Sequence, residues 1–101
     1  MTAYAAVISL NSRLGAGAIA ESLARKLGAA VDLTLTFVGS SDEATEAARE
    51  AAGRARIVIA VGGDGTVADV ATGIAHSNAI LGIVPAGSTN ITARSLGVPA
   101  N

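Results

Sequence analysis

The chain contains no cysteine and no tryptophan, and its only aromatic residues are Tyr4 and Phe37. Without cysteine there is neither a disulfide framework nor a thiolate metal site, and nothing points to an oxidising compartment. The cytoplasm is the expected location. Two aromatic side chains cannot build a base-stacking platform. The basic residues Arg13, Arg25, Lys26, Arg49, Arg54, Arg56 and Arg94 are interspersed with acids and leave a formal charge of −1. Nucleic-acid binding therefore has neither electrostatic nor stacking support. Long apolar runs are missing as well. No stretch approaches the roughly 20 residues of a membrane-spanning helix. The apolar residues 4–10 are preceded by no lysine or arginine, which marks a buried strand rather than a signal peptide.

What is present is enough for a core. The chain has 101 residues, 50% of them apolar, which suits one compact domain without disulfides or metals. Short runs rich in valine, isoleucine and leucine at residues 4–10, 31–37, 57–61 and 80–84 have the length and β-branching of strands. Helical spacing fills the gaps. Ile19, Leu23 and Leu27 line one face of residues 17–27, with Glu21 and Arg25 paired on another. Ser40 followed by Glu43 fits a capping box, and the helix it opens, reaching residue 54, has an apolar face of Ala44, Ala47, Ala48, Ala51 and Ala52. Val67, Val70, Ala71 and Ile74 repeat the spacing, and a short final helix over residues 90–96 is closed by Gly97 and Pro99. Strand and helix thus alternate four times. This predicts an α/β domain over residues 1–101, a Rossmann-like parallel sheet with right-handed crossovers and helices on both faces. The runs 57–61 and 80–84 are almost continuously apolar, as strands covered on both faces are.

In such a sheet ligands sit at the carboxyl ends of the strands. Gly62-Gly63-Asp64-Gly65-Thr66 lies there, between a strand ending at Val61 and a helix expected to begin near Thr66. Glycines let backbone approach a ligand closely, and the N–H groups of a helix start favour an anion. Phosphate is the natural guest. Asp64 would repel a bare phosphate, so it implies Mg²⁺ or a proton to be handled beside it. Pro85-Ala86-Gly87-Ser88-Thr89-Asn90 stands at the next strand-to-helix turn and brings two hydroxyls and an amide to a second helix start. Each loop alone also fits a tight turn with a helix cap, and Asp69 alone fits an exposed acid stabilised by the helix dipole. Two such loops on successive turns favour a shared site. His76, near a helix end, reads as a solvated side chain.

These residues carry a family resemblance. The block Val61-Gly62-Gly63-Asp64-Gly65-Thr66-Val67-Ala68-Asp69-Val70, then Leu81-Gly82-Ile83-Val84-Pro85-Ala86-Gly87-Ser88-Thr89-Asn90 and Ala93-Arg94-Ser95-Leu96-Gly97-Val98-Pro99, resembles the catalytic domain of diacylglycerol kinases and their bacterial lipid kinase relatives. NAD kinases share the first loop but not the second block, which leaves an NAD kinase-like fragment as the enzymatic alternative. A stand-alone nucleotide-binding module without catalysis is the other. The resemblance implies an amino-terminal ATP-binding lobe. Asn11, Thr36, Gly62, Gly63, Asp64, Gly65, Thr66, Val67, Ala68, Asp69, Gly87, Ser88 and Asn90 would surround ATP, and Asp64 would organise Mg²⁺. It also implies a second, β-rich domain outside these residues that holds the diacylglycerol-like lipid, the metal-binding acids and the general base. The full-length enzyme would then make peripheral contact with the inner membrane surface. The sequence departs from the family at Ser12 for the usual proline, Asp69 for glutamate, Ser88 for threonine and Ile91 for aspartate. The changes at Asp69 and Ser88 keep the functional group, whereas Ile91 loses a carboxylate.

Overall fold

A computed structural model describes residues 3–11, 15–27 and 32–85. In chain order the elements are β1 (Ala3–Ser9), α1 (Ala16–Leu27), β2 (Asp32–Val38), α2 (Ser41–Ala52), β3 (Ile57–Gly62), α3 (Asp64–Ile74) and β4 (Ile80–Pro85). All strand pairs are parallel, and the order across the sheet is β2-β1-β3-β4. The alternation read from the sequence is therefore the architecture of the described residues. The expected fourth helix over residues 90–96 lies outside them, as does Val31.

Period-two alternation along the strands sorts the core into two layers. Ala6, Ile8, Ile59 and Val61 face α1 and pack with Ile19, Ala20 and Leu23. Ala5, Val7, Val58, Ala60 and Ile83 face α2 and α3 and pack with Ala44, Ala48, Ala51, Val67, Val70 and Ile74. The prediction that both apolar runs are covered on both faces holds for β3, where every residue from Val58 to Gly62 is buried. In β4, an edge strand among the described residues, Leu81 and Ile83 pack into one layer and Val84 into the other, while its first residue Ile80 is 52% exposed. Strand β1 is two-sided as well, and its Ala5, Ala6, Val7 and Ile8 are buried because β2 and β3 flank it. A run of alanines conceals that role, since alanine carries little strand propensity.

The alanine face of α2 receives α3 very closely. A Cβ built at Gly73 would stand 2.4 Å from the Thr45 carbonyl oxygen and 2.7 Å from the Ala48 Cβ, so only glycine permits this approach. The start of α2 is fixed by the expected cap, in which the Ser40 hydroxyl accepts from the Glu43 N–H at 3.2 Å. The Glu43 carboxylate differs from a standard capping box, because it reaches one residue further back and accepts from the Gly39 N–H at 2.7 Å. The helix ends at Ala52 rather than residue 54, with Gly53 as its C-cap in a right-handed conformation.

Candidate functional site at the carboxyl edge of the sheet

The chain path creates a crevice at one place in the sheet. From β1 it turns to α1 on one face, while from the adjacent β3 it turns to α3 on the other. Where neighbouring strands send their helices to opposite faces, the loops diverge and leave room above the strand ends. Asn11 follows the end of β1 and Gly62 closes β3, so these two flank the crevice. The Asn11 N–H donates to the Ser9 hydroxyl at 3.1 Å, which tightens the turn leaving β1.

The glycine-rich loop is shorter than the sequence suggests. The helix begins at Asp64, not near Thr66, so Gly63 is the whole connection between strand and helix, and Asp64, Gly65 and Thr66 form the first helical turn. Gly63, at the N-cap, is extended and supplies no side-chain cap, and the first bond within the helix runs from the Val67 N–H to the Gly63 carbonyl at 3.1 Å. The N–H groups of Gly65 and Thr66 therefore have no acceptor inside the helix and point, with the positive end of its dipole, out of the strand ends. Gly62 lets this turn fold back so tightly. Its φ is 158°, and a Cβ there would lie 2.7 Å from Thr66 Oγ1 and 3.2 Å from Ser9 Cβ. Gly65 has the opposite surroundings. A Cβ there would meet nothing within 4 Å.

The reason lies in how α2 and α3 run beside each other. Gly65, Asp69 and Gly73 form one stripe on α3 at four-residue spacing, and Ser41 and Thr45 form the matching stripe on α2. Gly73 meets Thr45; one turn nearer the strand ends, the Ser41 hydroxyl donates to Asp69 Oδ1 at 2.7 Å. One turn nearer still, α3 continues to Gly65 whereas α2 begins only at Ser41, so the α2 helix does not reach the level of Gly65. The open position beside Gly65, the notch, thus lies one turn above the Ser41–Asp69 pair.

The remaining predicted residues are spread more widely. Val67 is buried in the core, so only its backbone can face a ligand, whereas Ala68 is exposed. Thr36 lies level with Val7 on β2, with all of β1 between it and β3, and it sits two residues, about 7 Å, below the level of Gly62. Gly87, Ser88 and Asn90 lie outside the described residues, although β4 delivers the chain to them at Pro85, directly beside Gly62. Ser41 and Gly73 went unnoticed in the sequence, since neither sits in a motif.

Charge is divided along the strand direction. Asp42 and Glu43 in the first turn of α2, Asp64 in that of α3 and Asp69 one turn on stand towards the carboxyl edge, while Arg25, Lys26, Arg54 and Arg56 lie towards the amino edge. An anion entering the notch meets helix dipoles and N–H groups but also carboxylates, which favours an anion accompanied by a cation. Among the described residues no three acidic or histidine side chains are grouped closely enough to hold a metal ion by themselves. No helix among them is long and apolar enough to cross a membrane.

The fold recurs in known proteins. The sequence profile of the diacylglycerol kinase catalytic domain matches residues 6–101. The diacylglycerol kinase of Bacillus subtilis strain 168 is 48% identical over 60 residues, covering 56% of this chain and 20% of that protein. The diacylglycerol kinase of Staphylococcus saprophyticus is 42% identical over 62 residues, covering 59% of this chain and 20% of the relative. A crystal structure of a diacylglycerol kinase from Bacillus anthracis strain Sterne superposes with a TM-score of 0.76 at 29% identity, over 97% of this chain and 37% of that one. The matched part is thus about a fifth of the length of these curated relatives. The chain belongs to the diacylglycerol kinase catalytic domain family.

Proposed function

We propose that this chain is the ATP-binding lobe of a lipid kinase that transfers the γ-phosphoryl group of ATP to the hydroxyl of diacylglycerol or a related lipid. The observation that carries the reading is the notch beside Gly65. It lies in the first turn of α3, just past the carboxyl end of β3, where the N-cap Gly63 supplies no side chain and a Cβ at Gly65 would meet nothing within 4 Å, which leaves room for phosphate at a helix start. Membership of the diacylglycerol kinase family supplies the reaction class.

In phosphoryl transfer the protein mainly positions the nucleotide and offsets its charge. The Gly65 and Thr66 N–H groups and the Thr66 hydroxyl donate to phosphate oxygens, joined by Ser88 from the next turn. Asn11 borders the nucleoside across the crevice, with Thr36 one strand further out. Asp64 offers a hard oxygen donor suited to Mg²⁺, and the surrounding carboxylates make a cation necessary if a polyphosphate is to stay. Mg²⁺ bound there with the nucleotide would neutralise charge on the phosphates. A single carboxylate does not make a resident metal site, so the ion would arrive with ATP. The acceptor hydroxyl and the base that takes its proton are assigned to a second domain.

The deciding experiment is titration of Mg²⁺-ATP into the chain and its Gly65→Val variant by calorimetry, with circular dichroism as the control for folding. Because a Cβ at this position meets no protein atom within 4 Å, the variant should fold and lose ATP binding. Unchanged affinity in the folded variant would show that phosphate does not enter the notch.

A further inference from the structure

The hydrogen bond from Ser41 to Asp69 is solvent-exposed, so it contributes little to stability, yet it joins two helices one turn below the notch. Ser41 itself is held firmly, since the residue before it caps α2 and Glu43 ties the Gly39 N–H into the same turn. Its hydroxyl is thus a fixed donor aimed across the seam. Asp69 is half-buried on the stripe shared with Gly65, one turn below the open position. Left to itself, an aspartate there has rotamers that swing its carboxylate along the stripe towards Gly65. Such a charge would oppose an anion held by the first turn of α3.

We propose that Ser41 is a positioning residue of the nucleotide site, holding the Asp69 carboxylate against the start of α2 and away from the phosphates beside Gly65. In that position the carboxylate faces the positive end of the α2 dipole, and its repulsion of the bound anion is reduced. The inference rests on the reading that the notch takes a nucleotide, and it makes a claim that reading does not: ATP affinity depends on a hydroxyl that touches no part of ATP.

The test measures the dissociation constant of Mg²⁺-ATP for the unaltered chain and for Ser41→Ala, Ser41→Thr, Asp69→Asn and the Ser41→Ala/Asp69→Asn double variant, with thermal midpoints as the folding control. Ser41→Ala should weaken binding about five-fold, as befits loss of a charge-directing hydrogen bond, with little change in midpoint. Ser41→Thr keeps the hydroxyl and should recover the affinity. In the Asp69→Asn background, where no charge needs to be directed, Ser41→Ala should have no further effect. Equal weakening in both backgrounds would overturn the proposal by making Ser41 a general structural residue. If Ser41→Ala binds like the unaltered chain while Gly65→Val does not bind, this inference alone falls. If the unaltered chain does not bind ATP, it falls together with the function it rests on.

Discussion

At Gly73 and Gly65 the same residue type performs opposite tasks on one helix stripe, two turns apart. Gly73 is a packing residue: its missing Cβ is the space that the α2 backbone occupies. Gly65 is a residue of the proposed site, its missing Cβ facing no protein atom within 4 Å. Alanine should separate the two. Gly73→Ala gains helix propensity but must push apart two backbones, and overpacking of this kind costs about 1–3 kcal/mol. Gly65→Ala meets no obstacle and reduces the freedom of the unfolded chain, a gain of about 0.4–1 kcal/mol. Thermal unfolding of the two variants should therefore show a midpoint below that of the unaltered chain for Gly73→Ala and one at or above it for Gly65→Ala. Equal midpoints would mean that α3 can slide along α2, and the notch geometry would lose its basis.

At the scale of the element, α2 is the helix whose sequence says most about its own limits and least about its neighbours. Its cap and alanine face are legible, because both follow from local rules: a serine hydroxyl near orphan N–H groups, and small residues at helical spacing. Ser40→Ala should cost about 1 kcal/mol through loss of the bond to the Glu43 N–H, read as a lowered denaturation midpoint. A second effect distinguishes this cap from one that only stabilises its own helix. Ser40 also fixes where Ser41 stands, so Ser40→Ala should weaken ATP binding as well, and an unchanged affinity would separate the cap from the site. The start of α3 was misplaced by two residues because Asp64 and Gly65 read as loop by propensity. They are helical because β3 ends at Gly62 and leaves a single residue in which to turn.

At the scale of the molecule, the proposed function makes the described residues one wall of a cleft. The proposed reading puts a nucleotide beside Gly65, while nothing among the described side chains positions a lipid hydroxyl next to a base. The 101 residues alone should accordingly bind Mg²⁺-ATP weakly, since the ligand remains largely open to water. They should not phosphorylate diacylglycerol above background, whereas a polypeptide that also carries the second domain should. Transfer of labelled γ-phosphate to lipid in mixed micelles, compared for the two, decides the matter. Robust turnover by the short chain would mean that the base and the acceptor site lie within this lobe.

The sequence by itself determined the parallel α/β architecture, the strands to within a residue or two, the cap of α2 and the location of the glycine-rich turn at a strand's carboxyl end. All of these are written in spacing within a few residues of one another, where side-chain periodicity and turn chemistry act directly. The order β2-β1-β3-β4, and with it the crevice between β1 and β3, was decided only in the tertiary structure, as were the contact at Gly73 and the pair formed by Ser41 and Asp69. Ser41 and Asp69 are 28 residues apart, and no local rule links them. They meet because two parallel helices settle into a register set by the close approach of Gly73 to Thr45 and Ala48, and that register exists only once both helices lie on the same face of the sheet.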